Sequence, residues 1–213
     1  MKNLAKTLVA LAAIAVSGAA SAVTINSYTF DGVGVGIVFN GNPEGVGAGE
    51  IKVNTSIGTF ATYCIDLAQG LPVPNPTYTF GPYANDWISR LVDVAGFYGG
   101  ADQSSNQVDT TTEKAAFQLA IWEAVYDTAP GDLSAGQFRV ASTTASILAQ
   151  ANVYLAGAAA LPNGSYRTQD LFAFTSDRGQ DLVTAVPEPS SYAMLLAGLA
   201  GIGFVARRRS QSR

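Results

Sequence analysis

From Val23 to about Phe80 the chain alternates apolar and polar positions with a period of two, the signature of half-buried strands. "VTINSYTF" and "GVGVGIVF" are rich in β-branched residues and read as two strands, with glycines that suggest bulges or close backbone approach. "NGNPEGVGAG", Asn40 to Gly49, reads as a turn or loop. "EIKVNTSIGTFATYCIDL" supplies two more strands around a turn near Ile57-Gly58, with Cys64 in the second. "AQGLPVPNPTYTF" holds three prolines and is a connector or an irregular strand. The period then changes. Tyr83 to Tyr98 places Trp87, Leu91, Val94 and Ala95 on one helical side and stops at Gly99-Gly100. After a polar loop, Thr110 and Glu113 have capping-box spacing at the start of a second helix, which should end near Pro130-Gly131. A third helix is expected over Phe138 to Ala159, and one or two strands after Pro162-Asn163-Gly164. Strands, helices, then strands imply an α+β domain: a largely antiparallel β core with an inserted helical subdomain of about three helices.

Within the second helix, "AAFQLAIWEAVYD", one polar letter breaks the pattern. At roughly 100° per residue, Glu113, Glu123 and Asp127 fall on one arc. Gln118 precedes Asp127 by about 900° and so points away from that acidic side. Its own stripe is Ala115, Ile121, Trp122 and Val125, the side expected in the core. A buried amide without partners costs about 1–3 kcal/mol, so Gln118 requires a hydrogen-bonded site or a chemical role.

The two ends belong to processing rather than to the fold. Residues 1–22 hold Lys2 and Lys6, an apolar run from Leu8 to Val16 and then Ala20-Ser21-Ala22, which is a secretory signal with cleavage expected after Ala22. The other end, residues 186–213, has Pro187-Glu188-Pro189, an uncharged stretch from Tyr192 to Ala206, and then Arg207, Arg208 and Arg209. As a helix that stretch would be ~22 Å long, somewhat short of a ~30 Å hydrocarbon core. The arginines would stay cytoplasmic, leaving residues 23–185 outside as one domain. This order of motif, apolar helix and basic tail resembles a PEP-CTERM sorting signal. The resemblance implies a Gram-negative host that makes exopolysaccharide, a transient C-terminal transmembrane anchor, and an exosortase that cuts near the PEP motif. The destination it implies is the cell surface or the extracellular matrix.

Composition removes several functions. Between the processed ends six basic residues face the chain's sixteen acidic ones, a charge of about −10 with Glu188 counted, which argues against nucleic acid and anionic membrane surfaces. There is no histidine, so Ser-His-Asp and Cys-His catalysis and His-ligated zinc or haem are excluded. No metal or other cofactor is expected. "GVGVGIV" lacks the G-x-G-x-x-G spacing and the helix that a nucleotide site needs. Cys64 is the one cysteine, so the exported domain has no internal disulfide.

Cys64 and Gln118 can be read separately, as a small buried hydrophobe and as an amide bonded to a neighbouring strand. They can also be read together. A thiol and a carboxamide in contact can condense with loss of ammonia, leaving an internal thioester that an amine or hydroxyl could then capture. Positioning and exclusion of water supply much of the rate for such a step, so neither histidine nor metal is required. The flanking letters, "TYCIDL" and "FQLAIWEAVYD", resemble the two motifs of bacterial thioester domains, known from Gram-positive surface adhesins that couple covalently to host targets. The resemblance implies a Cys64–Gln118 crosslink shielded by Tyr63, Phe117 and Trp122. It also implies adhesion or crosslinking to a target bearing amine or hydroxyl groups, and no turnover enzyme. Asp66 is either an orienting carboxylate for the attacking group or an ordinary strand-end residue. Other readings are a non-covalent component of the exopolysaccharide matrix, a Cys64-linked dimer, and a two-carboxylate glycosidase, for which no acidic pair stands out.

Overall fold

The computed structural model describes residues 20–71, 77–97, 99, 107–162 and 169–187. Among these residues there are seven strands, β1 (Ser21–Phe39), β2 (Asn42–Thr55), β3 (Gly58–Cys64), β4 (Thr77–Pro82), β5 (Phe138–Ser142), β6 (Gln169–Thr175) and β7 (Leu182–Pro187), and three helices, α1 (Asp86–Ala95), α2 (Thr111–Tyr126) and α3 (Ala145–Ala160). The fold is α+β, and every strand pairing is antiparallel. The sheet runs β2-β3-β7-β6-β4-β1-β5, and β2 also pairs with β1, so six strands close into a ring with β5 attached outside it. One long strand makes the closure. β1 pairs with β4 over Ser21–Thr24 and then with β2 from Ile25 to Phe39, with an irregularity between Ile25 and Ser27. Closure leaves few unpaired strand edges.

The expected loop over Asn40 to Gly49 is instead a two-residue turn followed by strand. Asn40 and Gly41 both have positive φ, 51° and 82°, as a type I′ hairpin requires, and pairing resumes at once with Phe39 opposite Asn42. The later glycines are strand residues. Gly32 and Gly49 face each other where a Cβ on Gly49 would run into the backbone of Asp31 and Gly32. They permit close approach of two backbones, which the sequence alone presents as turn composition.

The third expected helix is also corrected at its start. Phe138–Ser142 is β5, paired with β1 over Gly36–Phe39, and α3 begins only at Ala145. α1 is shorter than the expected Tyr83 to Tyr98. Asn85 caps its start by accepting the Ile88 N–H, and Gly96 ends it in the left-handed conformation at φ 61°. Its buried side is Ile88, Arg90, Leu91, Val92 and Ala95, while Trp87 is half-buried under the Arg90 guanidinium.

α2 is the central element, in contact with β1, β2, β3, β5 and both other helices. Thr110 and Glu113 form the expected capping box. Lys114 ties the helix to the β1–β2 hairpin through Asp31, at 2.6 Å, with Glu50 at 3.8 Å. Every residue from Ala115 to Ala124 is buried, Glu123 included, so of the three acids on the expected arc only Glu113 and Asp127, at the two ends of the helix, reach solvent. Glu123 accepts the N–H groups of Gly131 and Asp132, and Asp127 accepts those of Gln137 and Phe138. Glu123 and Asp127 thus anchor the α2–β5 connection, while Glu113 serves the capping box.

No helix among the described residues is long and apolar enough to cross a membrane. The apolar stretch from Tyr192 to Ala206, the arginines Arg207, Arg208 and Arg209, Glu188, Pro189 and the signal residues before 20 lie outside the described residues. β7 continues pairing through Val186 and Pro187, beyond the domain end expected at 185.

Candidate functional site

Cys64 is the last residue of β3, with Leu182 of β7 as its ladder neighbour. The next bond to β7 is made by the Ile65 N–H, which donates to the Asp181 carbonyl at 2.9 Å. The N–H and C=O of Cys64 itself are answered by Gln118. The Cys64 N–H donates to Gln118 Oε1 and Gln118 Nε2 donates to the Cys64 carbonyl, each at 2.8 Å. The carboxamide thus takes the place of another strand, and the donor pattern fixes which end of the amide is oxygen. Both residues are almost fully buried. The polar residue on the core side of the helix and the lone cysteine, separated by most of the β-to-α connection, meet as a pair. Here Cys64 carries a free thiol and Gln118 an intact carboxamide.

The sulfur is wrapped by its own chain. Cys64 Sγ donates to the Asp66 carbonyl at 3.0 Å and accepts the Asp66 N–H at 3.3 Å. The Trp122 indole N–H has no oxygen or nitrogen acceptor and acts on the sulfur from outside ordinary hydrogen-bond geometry. Burial pushes the Cys64 thiol up to about 12, against the downward pull of Trp122 and the Asp66 backbone, while the Asp66 and Asp181 carboxylates add to the rise. At pH 7 the thiolate fraction is on the order of 10⁻⁵.

α2 presents its contacts to this turn at one-turn intervals, since residues four apart share a side. Gln118 holds the Cys64 backbone, Trp122 faces the sulfur, and Tyr126 holds the residues after the cysteine. The Tyr126 hydroxyl accepts the Leu67 N–H at 2.7 Å and donates to the Ile65 carbonyl at 3.3 Å. Sequence reasoning does not single out Tyr126, although its i+8 spacing from Gln118 is the available signal. It misses Gln180 as well, whose Nε2 donates to the Asp66 carbonyl at 3.3 Å. Nothing local in the sequence marks Gln180, because β7 reaches Cys64 only through sheet pairing.

Tyr63 and Phe117 occupy a different neighbourhood. Tyr63 precedes Cys64 on the strand and so projects to the opposite side. Its ring meets Phe117 edge-on at 4.9 Å and Phe97 at 5.1 Å, and Phe117 continues to Tyr154 at 5.7 Å. This cluster clamps β3 to α2 and α3, whereas Trp122 packs on Phe138 and faces the sulfur. The Asp66 side chain accepts the Ala68 N–H, as an Asx turn does at a strand end. Pro187 of the sorting motif is the last residue of β7. Among the described residues no group of three acidic or cysteine side chains is placed to hold a metal ion.

Residues 185–209 match the PEP-CTERM protein-sorting motif. The motif implies export, C-terminal anchoring in the membrane before processing, and processing by an exosortase. No curated protein matches the chain. Among solved structures the chain is similar to the N-terminal domain of the Streptococcus pyogenes pilus tip adhesin Cpa, at 18% identity and a TM-score of 0.46, covering 67% of this chain and 85% of that one.

Proposed function

We propose that this exported protein is a covalent attachment protein of the cell surface or extracellular matrix, acting once per molecule through an internal Cys64–Gln118 thioester. The observation that carries the reading is the two-pronged bond of the Gln118 carboxamide to the backbone of the very residue that bears the thiol. That contact fixes the amide carbon beside one cysteine and holds its carbonyl against a donor.

The chemistry derives from those two bonds. As Sγ adds to Cδ of Gln118, negative charge develops on Oε1, which the Cys64 N–H already meets at 2.8 Å. The Sγ–Cδ bond forms, the Cδ–Nε2 bond breaks, and the thiol proton passes to the departing nitrogen, which leaves as ammonia. Because the thiol stays protonated at neutral pH, proton transfer accompanies attack rather than preceding it. Loss of Nε2 leaves the Cys64 carbonyl without its donor. An incoming amine or hydroxyl can satisfy that carbonyl from the position the ammonia vacated. Its heteroatom bonds to Cδ, and the sulfur departs with the proton. Trp122 on the sulfur side, with Tyr63 and Phe117 bracing the strand behind it, limits access of water to the acyl group.

A second reading is that of a non-covalent structural component of the exopolysaccharide matrix. It is favoured by the fact that Gln118 satisfies Cys64 as a strand would, which suffices for stability. Reagent titration of the folded thiol does not separate the two readings, because a buried thiol raised to about 12 reacts slowly in either case. Methylamine does. The covalent reading predicts a methylamide on Gln118 and one newly titratable Cys64 thiol after unfolding; an unmodified Gln118 after prolonged exposure contradicts it.

A further inference from the structure

A cavity of about 650 Å³ is lined by Gln69 and Asp181, which flank the Cys64 turn in the chain and in the sheet, and none of the described lining residues has an apolar side chain. Thr77 and Thr79 of β4 and Thr175 of β6 line it with Ser176, Asp177 and Asp181. Thr175 and Ser176 spend their hydroxyl hydrogens on the carbonyls of Thr79 and Thr77, and Ser176 Oγ also accepts the Arg178 N–H, leaving the lone pairs of Thr175 and one on Ser176 to accept from a ligand. Asp181 accepts the Ser176 N–H through Oδ1 at 2.8 Å. Burial holds its carboxyl above the usual range, with the neighbouring Asp66 and Asp177 carboxylates pushing the same way.

Its position links it to the thioester pair. The Asp181 carbonyl accepts the Ile65 N–H, and the next residue, Leu182, is the ladder partner of Cys64. Gln69, also in the lining, belongs to the segment that wraps the sulfur, and the Gln180 N–H fastens that segment by donating to the Gly70 carbonyl at 2.9 Å. The short stretch from 65 to 70 therefore touches both, Asp66 meeting the sulfur and Gln69 lining the cavity.

We propose that this cavity binds the acceptor, and that the acceptor is an amino sugar in a hydroxyl-rich saccharide chain. The assignment rests on the thioester reading and names the substrate class for it. Hydroxyl-bearing and carboxylate side chains match ring hydroxyls, and two carboxylates against the one arginine, Arg178, favour an ammonium over an anionic group. A peptide would instead seek apolar anchor pockets or an open strand edge, and the described lining residues offer no apolar side chain. The sugar's amine supplies the nucleophile. The ammonium first gives one proton to solvent or a cavity carboxylate. The free amine nitrogen then bonds to Cδ of Gln118, the Cδ–Sγ bond breaks, and one of the two N–H protons passes to Cys64 Sγ while the other stays on the amide.

Binding is separable from coupling. Calorimetry on the exported protein carrying Cys64→Ala, which cannot form a thioester, is run with a glucosamine hexamer, an N-acetylglucosamine hexamer and a lysine-containing peptide of equal charge. The expected result is saturable binding of the glucosamine hexamer, about tenfold weaker for the acetylated hexamer and for the peptide. Asp177→Asn, Asp181→Asn and Thr79→Val, all close to isosteric, should each weaken it by a similar factor, Asp177→Asn and Thr79→Val with unchanged Tm. Absent binding, equal binding of either competitor, or indifference to all three substitutions overturns the proposal. Those failures leave the thioester untouched, since its loss of ammonia is measured on the unsubstituted chain. If the unsubstituted chain keeps its ammonia, the acceptor role falls with the thioester, whatever binds in the cavity.

Discussion

Gln118 decides more about this protein than any other residue. In the Cys64→Ala background, which keeps the carboxamide intact, replacing Gln118 with leucine keeps the volume but leaves the buried N–H and C=O of residue 64 without partners. At about 1–3 kcal/mol for each orphaned group, Gln118→Leu should cost roughly 2–6 kcal/mol, read as a lowered midpoint in urea. A loss below about 1 kcal/mol would mean that water or a shifted backbone replaces the amide. Glu123 poses the opposite problem, a carboxyl whose pKa burial raises despite two N–H donors. Its protonated form is the one the folded state favours. The stability it contributes is complete below the unfolded glutamate value, about 4.3, and declines as pH rises through the raised folded value. Glu123→Gln removes that titration, so its Tm relative to the unsubstituted protein should improve from pH 4 to pH 8. A constant difference across that range would contradict the raised value. The core-facing placement of Gln118 was legible from helical arithmetic. The burial of Glu123 was not, because the arithmetic assumes one solvent side and α2 is covered on all sides.

At the scale of elements, α2 works as a ruler laid along the end of β3. Gln118, Trp122 and Tyr126 contact the backbone of Cys64, its sulfur and the residues after it, in that order. Tyr126→Phe removes both bonds to the 65–67 segment and little else. The thioester account expects it to form the crosslink as fully as the unsubstituted protein and then to react with methylamine at least about tenfold faster, as the segment over the sulfur loosens. An unchanged rate would show that this segment does not limit access. The capping box and the strand bearing Cys64 were legible because their signals are local. Asn40 to Gly49 is turn-like in composition because its glycines serve close backbone approach within the β1–β2 hairpin, and Phe138 to Ser142 is not legible locally because its strand partner, β1, lies about a hundred residues away.

The whole molecule joins a strand-closed domain to a C-terminal PEP-CTERM sorting motif. The motif implies export and a C-terminal membrane anchor before processing. The domain accounts for how two buried residues with no catalytic histidine nearby are held in register: β3 is fixed in the ring between β2 and β7, and α2 is packed against several strands at once. Such a scaffold can hold a reactive bond away from water until an acceptor arrives. The central claim is that this bond forms, and it is tested most directly by the intact mass of the mature protein beside its Cys64→Ala variant. The account predicts that the unsubstituted protein is lighter than its sequence by one ammonia while the variant has its full mass. Two full masses would contradict it.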